Sequence, residues 1–320
     1  MSATKSPTPS PALDSSVLDA ELHLMGASRL GSFIQFVRLR AVGGREKDES
    51  DIADLWRAAA KHYDTLRSTE ATVADKPQVL PLPRSMQPHI DKLTQLDSFA
   101  ATFSSVPIAF GMVPLAQLVC SQYDLTLSTV QALKTHIAPK MRPAALAKLC
   151  LPLAPAHGQC VLGREARGEY VFHSDSHDLR YLGAQLVPVA NIQGYRRSGH
   201  AQAAIVIGVG FSTNVLNVVR YGGRLVLNNG YHRAMSLLSQ GYTHAPCVIQ
   251  VCSHWEDVGL CAMGEISGNS ELYFSNPRPP LLRDFLNPAL TSQWQLRPVR
   301  RQITVKLSYE SCDIAQSGGA

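Results

Sequence analysis

Nowhere in these 320 residues does an apolar run approach the ~18 that a bilayer-spanning helix requires, so no membrane span is expected. Regular cysteine spacing is missing too: seven cysteines are scattered without one CxxC pair. An odd, irregular set argues against the disulfide framework of a secreted domain and for ordinary reduced thiols. Basic clustering is scarce. Lysine plus arginine number 30 against 25 acidic residues, and the one dense basic run is Arg297, Arg300, Arg301 and Lys306. Nucleic-acid binding usually leaves a denser footprint. The run reads as a solvated face, and a nucleic-acid partner is not expected. Met1 to Pro11 holds no apolar signal core and is rich in Ser, Thr and Pro. It reads as a disordered tail, which makes cytoplasmic residence the expectation. No internal repeat occurs at a solenoid period.

What is present is globular: 45% of the residues are hydrophobic and 17% charged, enough for one large core or two smaller ones. Apolar residues at helical intervals predict two short helices between Val17 and Leu39, broken by Gly26 and Gly31. Asp51 to Ser68 is the clearest helix, with Ile52, Leu55, Trp56, Ala59, Tyr63 and Leu66 on one face. Another helix is expected from about Pro88 to Phe99, β-type runs within Val106 to Cys120, and broken helix over Leu127 to Leu149. Pro152, Pro155, Gly158 and Gly163 mark a boundary. Beyond it the chain turns to strands, including a continuous apolar run from Ala203 to Val209 that suits a buried one. The predicted organisation is α+β: a tail over 1–16, a mainly helical domain over 17–155, a mixed domain over 156–310 and a tail over 311–320.

The segment Leu225 to Ala234 carries the clearest chemistry. A buried strand ends at Asn228-Asn229, Gly230 turns the backbone, and a helix starts at Tyr231. Helix N-termini present unpaired N–H groups and partial positive charge, which makes them ready anion sites. His232 and Arg233 fall in that first turn, where positive charge disfavours the helix by itself. A bound phosphate would reverse the penalty, and the arginine fork suits its oxygens. The alternative is an ordinary helix start with Arg233 in a surface ion pair.

These residues resemble the sulfiredoxin/ParB-like superfamily over about Leu186 to Gln250. The sulfiredoxin signature runs strand, Gly-Gly-Cys-His-Arg, helix, then a turn and a strand opening near Ile-Pro. Here stand Asn229-Gly230-Tyr231-His232-Arg233, a helix with Leu237-Leu238, then Gly241 and Ala245-Pro246-Cys247-Val248-Ile249-Gln250. Leu186-Val187-Pro188-Val189 is similar to the domain's opening strand. The resemblance implies a bound nucleotide (ATP, ADP or CTP) with Mg²⁺, held by Asn228, Asn229, Gly230, Tyr231, His232 and Arg233. Asn214 would line the same pocket. If the chain is an enzyme, phosphoryl transfer or nucleotide hydrolysis is implied, with Arg233 as electrostatic clamp beside His232 and an acidic residue as base. From the His173 to Asp178 cluster itself, Asp175 or Asp178 could hold the magnesium or act as that base, Asp178 being the catalytic candidate and Asp175 the metal one. The motif cysteine is Tyr231, and a phenol cannot act as the sulfur nucleophile, so sulfinic-acid reduction is not expected.

Two other readings stand beside this one. A non-catalytic interaction or regulatory module would keep the fold and meet a protein partner through its N-terminal helical region. A metal-dependent hydrolase would use His173, Asp175 and His177, which share one face if extended but are polar turn residues if looped.

Overall fold

The computed structural model describes residues 19–154, 160–166, 168–176, 178–192, 200–211, 213–262, 265–297 and 299–313. In chain order the elements begin β1 (Asp19–Leu24), α1 (Leu30–Arg40), α2 (Glu49–Thr69), α3 (Gln87–Thr94) and α4 (Asp97–Thr102). Then follow β2 (Ile108–Pro114), β3 (Val119–Cys120), β4 (Asp124–Thr126), α5 (Leu127–Lys134) and α6 (Pro143–Cys150). A run of strands comes next: β5 (Val161–Ala166), β6 (Glu169–Ser174), β7 (Leu179–Pro188), β8 (Ala203–Phe211), β9 (Asn217–Tyr221) and β10 (Arg224–Asn229). The chain continues with α7 (Tyr231–Ser239), β11 (His244–Val251), α8 (Trp255–Cys261), α9 (Glu265–Gly268), β12 (Thr291–Leu296) and β13 (Arg301–Lys306). Helices and mixed sheets together make the fold α+β. Among the described residues no helix is long and apolar enough to cross a membrane.

Backbone contacts divide the chain into two compact units, and the division departs from 17–155 and 156–310. One unit joins Met1–Leu153 to Val215–Pro298; the other joins Ala154–Asn214 to Val299–Ala320. The reason is strand pairing. β11 lies antiparallel to β2 and parallel to β9, and β10 runs parallel to β3, so the order is β2-β11-β9-β10-β3. Strands from before and after the Ala154–Asn214 segment thus complete one five-stranded sheet. Its interior positions, among them Val218, Leu225, Leu227, Val248 and Ile249, are buried against the helices. A second sheet of the same unit has the order β12-β1-β4, with β12 and β4 both antiparallel to β1.

That second sheet corrects the expectation of two helices over Val17 to Leu39. Asp19-Ala20-Glu21-Leu22-His23-Leu24 alternates polar and apolar, the period of a strand, and only the part beyond Leu30 is helical. The long helix forms as expected and starts at Asp48, whose carboxylate accepts the Ser50 N–H at 2.9 Å. Trp56 packs partly buried against the core, its indole N–H donating to Ser28 O at 3.0 Å.

In the second unit, β13, β6 and β5 form an antiparallel sheet, and β7 and β8 form a two-stranded ribbon. The apolar run at Ala203 to Val209 is a strand there, but not a buried one: Ile205 and Val206 are exposed. Periodicity cannot place such a run; only the partner that covers it can.

Candidate functional site

The strand–turn–helix over Leu225 to Ala234 exists, and its geometry follows from three glycines. Gly222 and Gly223 both have positive φ (58° and 81°), the pair that a tight hairpin turn between β9 and β10 requires. β10 then ends in an irregular register at Leu227/Asn229, and the Asn229 Oδ1 accepts the Gly230 N–H at 2.9 Å. Gly230 caps α7 with φ 92°, in the left-handed region. A Cβ there would stand 2.7 Å from Leu216 Cδ1 and 3.2 Å from Leu216 Cα. Gly230→Ala is therefore expected to cost at least ~2 kcal/mol, from left-handed backbone plus overpacking. Urea unfolding measures it, and a loss below ~0.5 kcal/mol would contradict this packing.

The three side chains of the first turn all point into the fold. Tyr231 is buried; its hydroxyl donates to Leu227 O at 2.5 Å and accepts the backbone N–H of Ser121 at 2.9 Å and of Gln122 at 3.3 Å. Burial holds this phenol well above the usual tyrosine range, so it is a neutral hydrogen-bonding post. His232 Nε2 accepts the Thr126 N–H at 3.0 Å, which requires that nitrogen to be unprotonated. Arg233 is only 7% exposed, and its Nη1 donates to Cys150 O at 3.4 Å. Cys150 is the last residue of α6, so the guanidinium lies at the carbonyl end of a neighbouring helix, where positive charge is favoured. Burial lowers the Arg233 pKa from its ordinary value. The guanidinium therefore does not stay at the N-terminus of α7 beside its own Cα. The side chain is long enough to leave that N-terminus for another helix's C-terminus.

The remaining motif residues divide between the two units. Asn228 donates to Cys261 O at 3.1 Å and sits 3.5 Å from Gln250 Oε1, which also accepts from buried Asn217 at 2.6 Å. These amides join β9, β10 and β11 to the end of α8. Asn214 is exposed and belongs to the other unit. So do Asp178, whose carboxylate accepts two donors of Arg180 at 2.6 and 3.0 Å, and Asp175, which accepts Arg300 Nε at 2.8 Å. His173 lies in β6 opposite Gln302, while His177 falls outside the described residues. Among the described residues no group of three or more His, Cys, Asp and Glu could hold a metal ion. No family model matches this chain, and no curated protein or solved structure matches it either. The likeness to sulfiredoxin and ParB proteins therefore rests on its motif residues alone.

Among the described residues of the first unit, two cavities that share residues lie away from that turn. One of about 320 Å³ is lined by Ser28, Arg29, Ser32, Tyr123 and Asn269; another of about 490 Å³ shares Ala27 and Asn269 with it and adds Arg67 and Glu271. Neither is lined by any residue from 228 to 233.

Sequence reading missed a cluster of titratable groups on β1. Glu21 and His23 are 3% and 7% exposed, two residues apart and so on one face of the strand. On the next strand Asp124 stands opposite His23, and Arg40 of α1 reaches Glu21 at 3.7 Å and Asp124 at 3.9 Å. The His23 ring stacks on Phe36 with centroids 4.3 Å apart, and neither ring nitrogen has a hydrogen-bond partner among the described residues. Burial, then the Asp124 carboxylate, pushes Glu21 up to about 8; burial pushes His23 down to about 4. The strict alternation of Glu21-Leu22-His23-Leu24 was the signal, hidden by a helical reading of the same stretch.

Proposed function

We propose that this chain is a non-catalytic interaction module in which the Gly230 turn is a structural joint. The observation that carries this reading is the inward commitment of Tyr231, His232 and Arg233, each hydrogen-bonded to backbone within the first unit. A clamp for phosphate needs its donors turned toward the ligand. Protein partners would meet the N-terminal helices α1 and α2, where Leu39 and Leu55 are exposed.

A second reading, nucleotide binding with Mg²⁺, is supported by the strand–glycine–helix path from Leu227 to Tyr231, whose first-turn amides belong to the type that binds phosphate. The two separate in one experiment. Thermal unfolding with ATP, ADP, CTP and GTP, each with Mg²⁺, is expected to show no nucleotide-dependent rise in Tm. A ligand at 100 times its Kd would add ~2.7 kcal/mol, or roughly 5–10 °C for a unit of this size. A rise of that order in the wild type, lost in His232→Gln, would overturn the module reading and restore the phosphate site.

A further inference from the structure

Two of the seven cysteines stand together in the first unit. Cys252 follows directly on β11 and Cys261 is the last residue of α8, and their sulfurs lie 3.5 Å apart. Both are free thiols. Cys252 is buried, whereas Cys261 is partly open, so an oxidant in solution reaches one sulfur of the pair more readily than the other.

The approach is built by the fold on either side of it. The N–H groups of Ser253 and His254 both donate to Asp257 Oδ2 at 2.9 Å, which fixes the first turn of α8 close to the end of β11. Val258 is fully buried, and the Trp255 ring packs against Tyr221 and Phe274 with centroids 5.8 Å away. At the far end Asn228 of β10 donates to Cys261 O at 3.1 Å, and the Cys261 thiol lies 3.3 Å from Asp257 O. A helix of seven residues has too few internal hydrogen bonds to stand by itself in water. It therefore keeps its shape through these attachments, and one more attachment at its last residue changes how firmly it is held.

We infer that Cys252 and Cys261 are a redox modification site: low-molecular-weight disulfides oxidise the pair to a reversible intramolecular disulfide that fastens the end of α8 to the end of β11. A disulfide needs its sulfurs about 2.05 Å apart, so the pair must close by roughly 1.5 Å from its present separation. Cys261 has the freedom to do so, because the helix ends there and Ala262 is already extended. The reaction is a thiol–disulfide exchange. The Cys261 thiolate attacks one sulfur of oxidised glutathione, forms a mixed disulfide and expels a glutathione thiolate, which takes up the proton that Cys261 lost. The Cys252 thiolate then attacks the Cys261 sulfur and expels the second glutathione, which takes the proton from Cys252. Two protein thiols are oxidised and one glutathione disulfide is reduced to two thiols. The second step joins groups already in contact, so the mixed disulfide does not accumulate. Burial, and after it the Cys252 thiol, pushes Cys261 up to about 12, and burial raises Cys252 as well. Only the thiolate attacks, so the pair stays reduced on brief exposure at neutral pH and oxidises on long exposure or in alkali. This inference does not depend on the role of the Gly230 turn.

The test uses the full chain carrying Cys160→Ser and Cys312→Ser, which removes the two exposed thiols. It is incubated with oxidised glutathione at pH 8, alkylated, unfolded and cleaved after Glu256, which lies between the paired cysteines. The peptide with Cys252 is expected to remain joined to the peptide with Cys261 until dithiothreitol is added. Hydrogen exchange across α8 in the folded, oxidised chain is expected to slow at least ~tenfold. With Cys252→Ser added, the reaction is expected to stop at glutathione bound to Cys261, with exchange unchanged. Recovery of both cysteines as alkylated thiols would overturn the inference, as would a linked pair whose α8 exchanges as fast as before. Equal oxidation of the buried Cys120, Cys150 and Cys247 would show that the link forms in unfolded chains, and would overturn it too.

Discussion

Asp284→Ala is expected to lower the stability of the first unit by ~3–5 kcal/mol, the scale seen when one partner of a buried ion pair is removed. Asp284 is buried and accepts Arg278 through both oxygens, at 2.6 and 2.9 Å, together with the Leu281 N–H at 2.8 Å and the Tyr63 hydroxyl at 3.1 Å. Arg278 is equally buried. It also donates to Glu70 at 2.8 Å and to Pro279 O at 2.7 Å, and its guanidinium lies 5.9 Å above the Tyr63 ring. Truncating the aspartate leaves a buried guanidinium with only the partly exposed Glu70 to balance it. The network also spans about two hundred residues of sequence, from α2 to the segment after Asn276, so its loss frees both ends. Urea denaturation with an unchanged m-value measures the effect. The double change Asp284→Leu/Arg278→Met is expected to cost less than Asp284→Ala alone, because it removes the stranded charge. A single-variant loss under ~1 kcal/mol would show that the pair is hydrated and not buried as described.

The second large effect is on pH dependence. Glu21 has a folded-state pKa of about 8, above its ordinary 4.5, so the stability it contributes is whole below 4.5 and is lost as pH rises through 8. His23 runs the other way. Its folded-state value of about 4 lies below the ordinary 6.5, so its contribution is whole above 6.5 and is lost as pH falls through 4. Between 4.5 and 6.5 the two slopes oppose one another. From 6.5 to 8 only Glu21 changes, and stability is expected to fall by ~2 kcal/mol, at about 1.4 kcal/mol per unit. The groups facing Glu21 are Asp124 and Asp19, which raise its pKa, and Arg40, which lowers it. Glu21→Gln is expected to flatten the fall. Unfolding midpoints at pH 6.5 and 8.5 decide the matter: a flat wild-type profile would mean that Glu21 is already ionised and solvated at neutral pH.

What local sequence determines is visible in individual elements. Gly222-Gly223 specified the hairpin turn because two consecutive positive-φ residues admit little else. Gly230 and Gly241 bracketed α7 for the same steric reason. The face of Ile52, Ala59 and Tyr63 specified α2 through its period. At β1 the alternation was equally legible, but apolar residues at mixed spacing outweighed it.

Tertiary structure decided everything that depends on a partner distant in sequence. No local pattern states that β2, from the N-terminal half, lies beside β11, so the unit boundary could not be drawn from composition. No local pattern states that Arg233 reaches Cys150 or that His232 accepts from Thr126, so the direction of these side chains could not be read from the turn itself. The Ala203 to Val209 run shows the division most plainly. Its apolar sequence determined that it forms a strand but not that the strand is buried, because folded proteins leave much apolar surface exposed. Whether a surface covers it depends on where the rest of the chain goes. At the far end of the β7–β8 ribbon Leu186 and Ile205 are exposed.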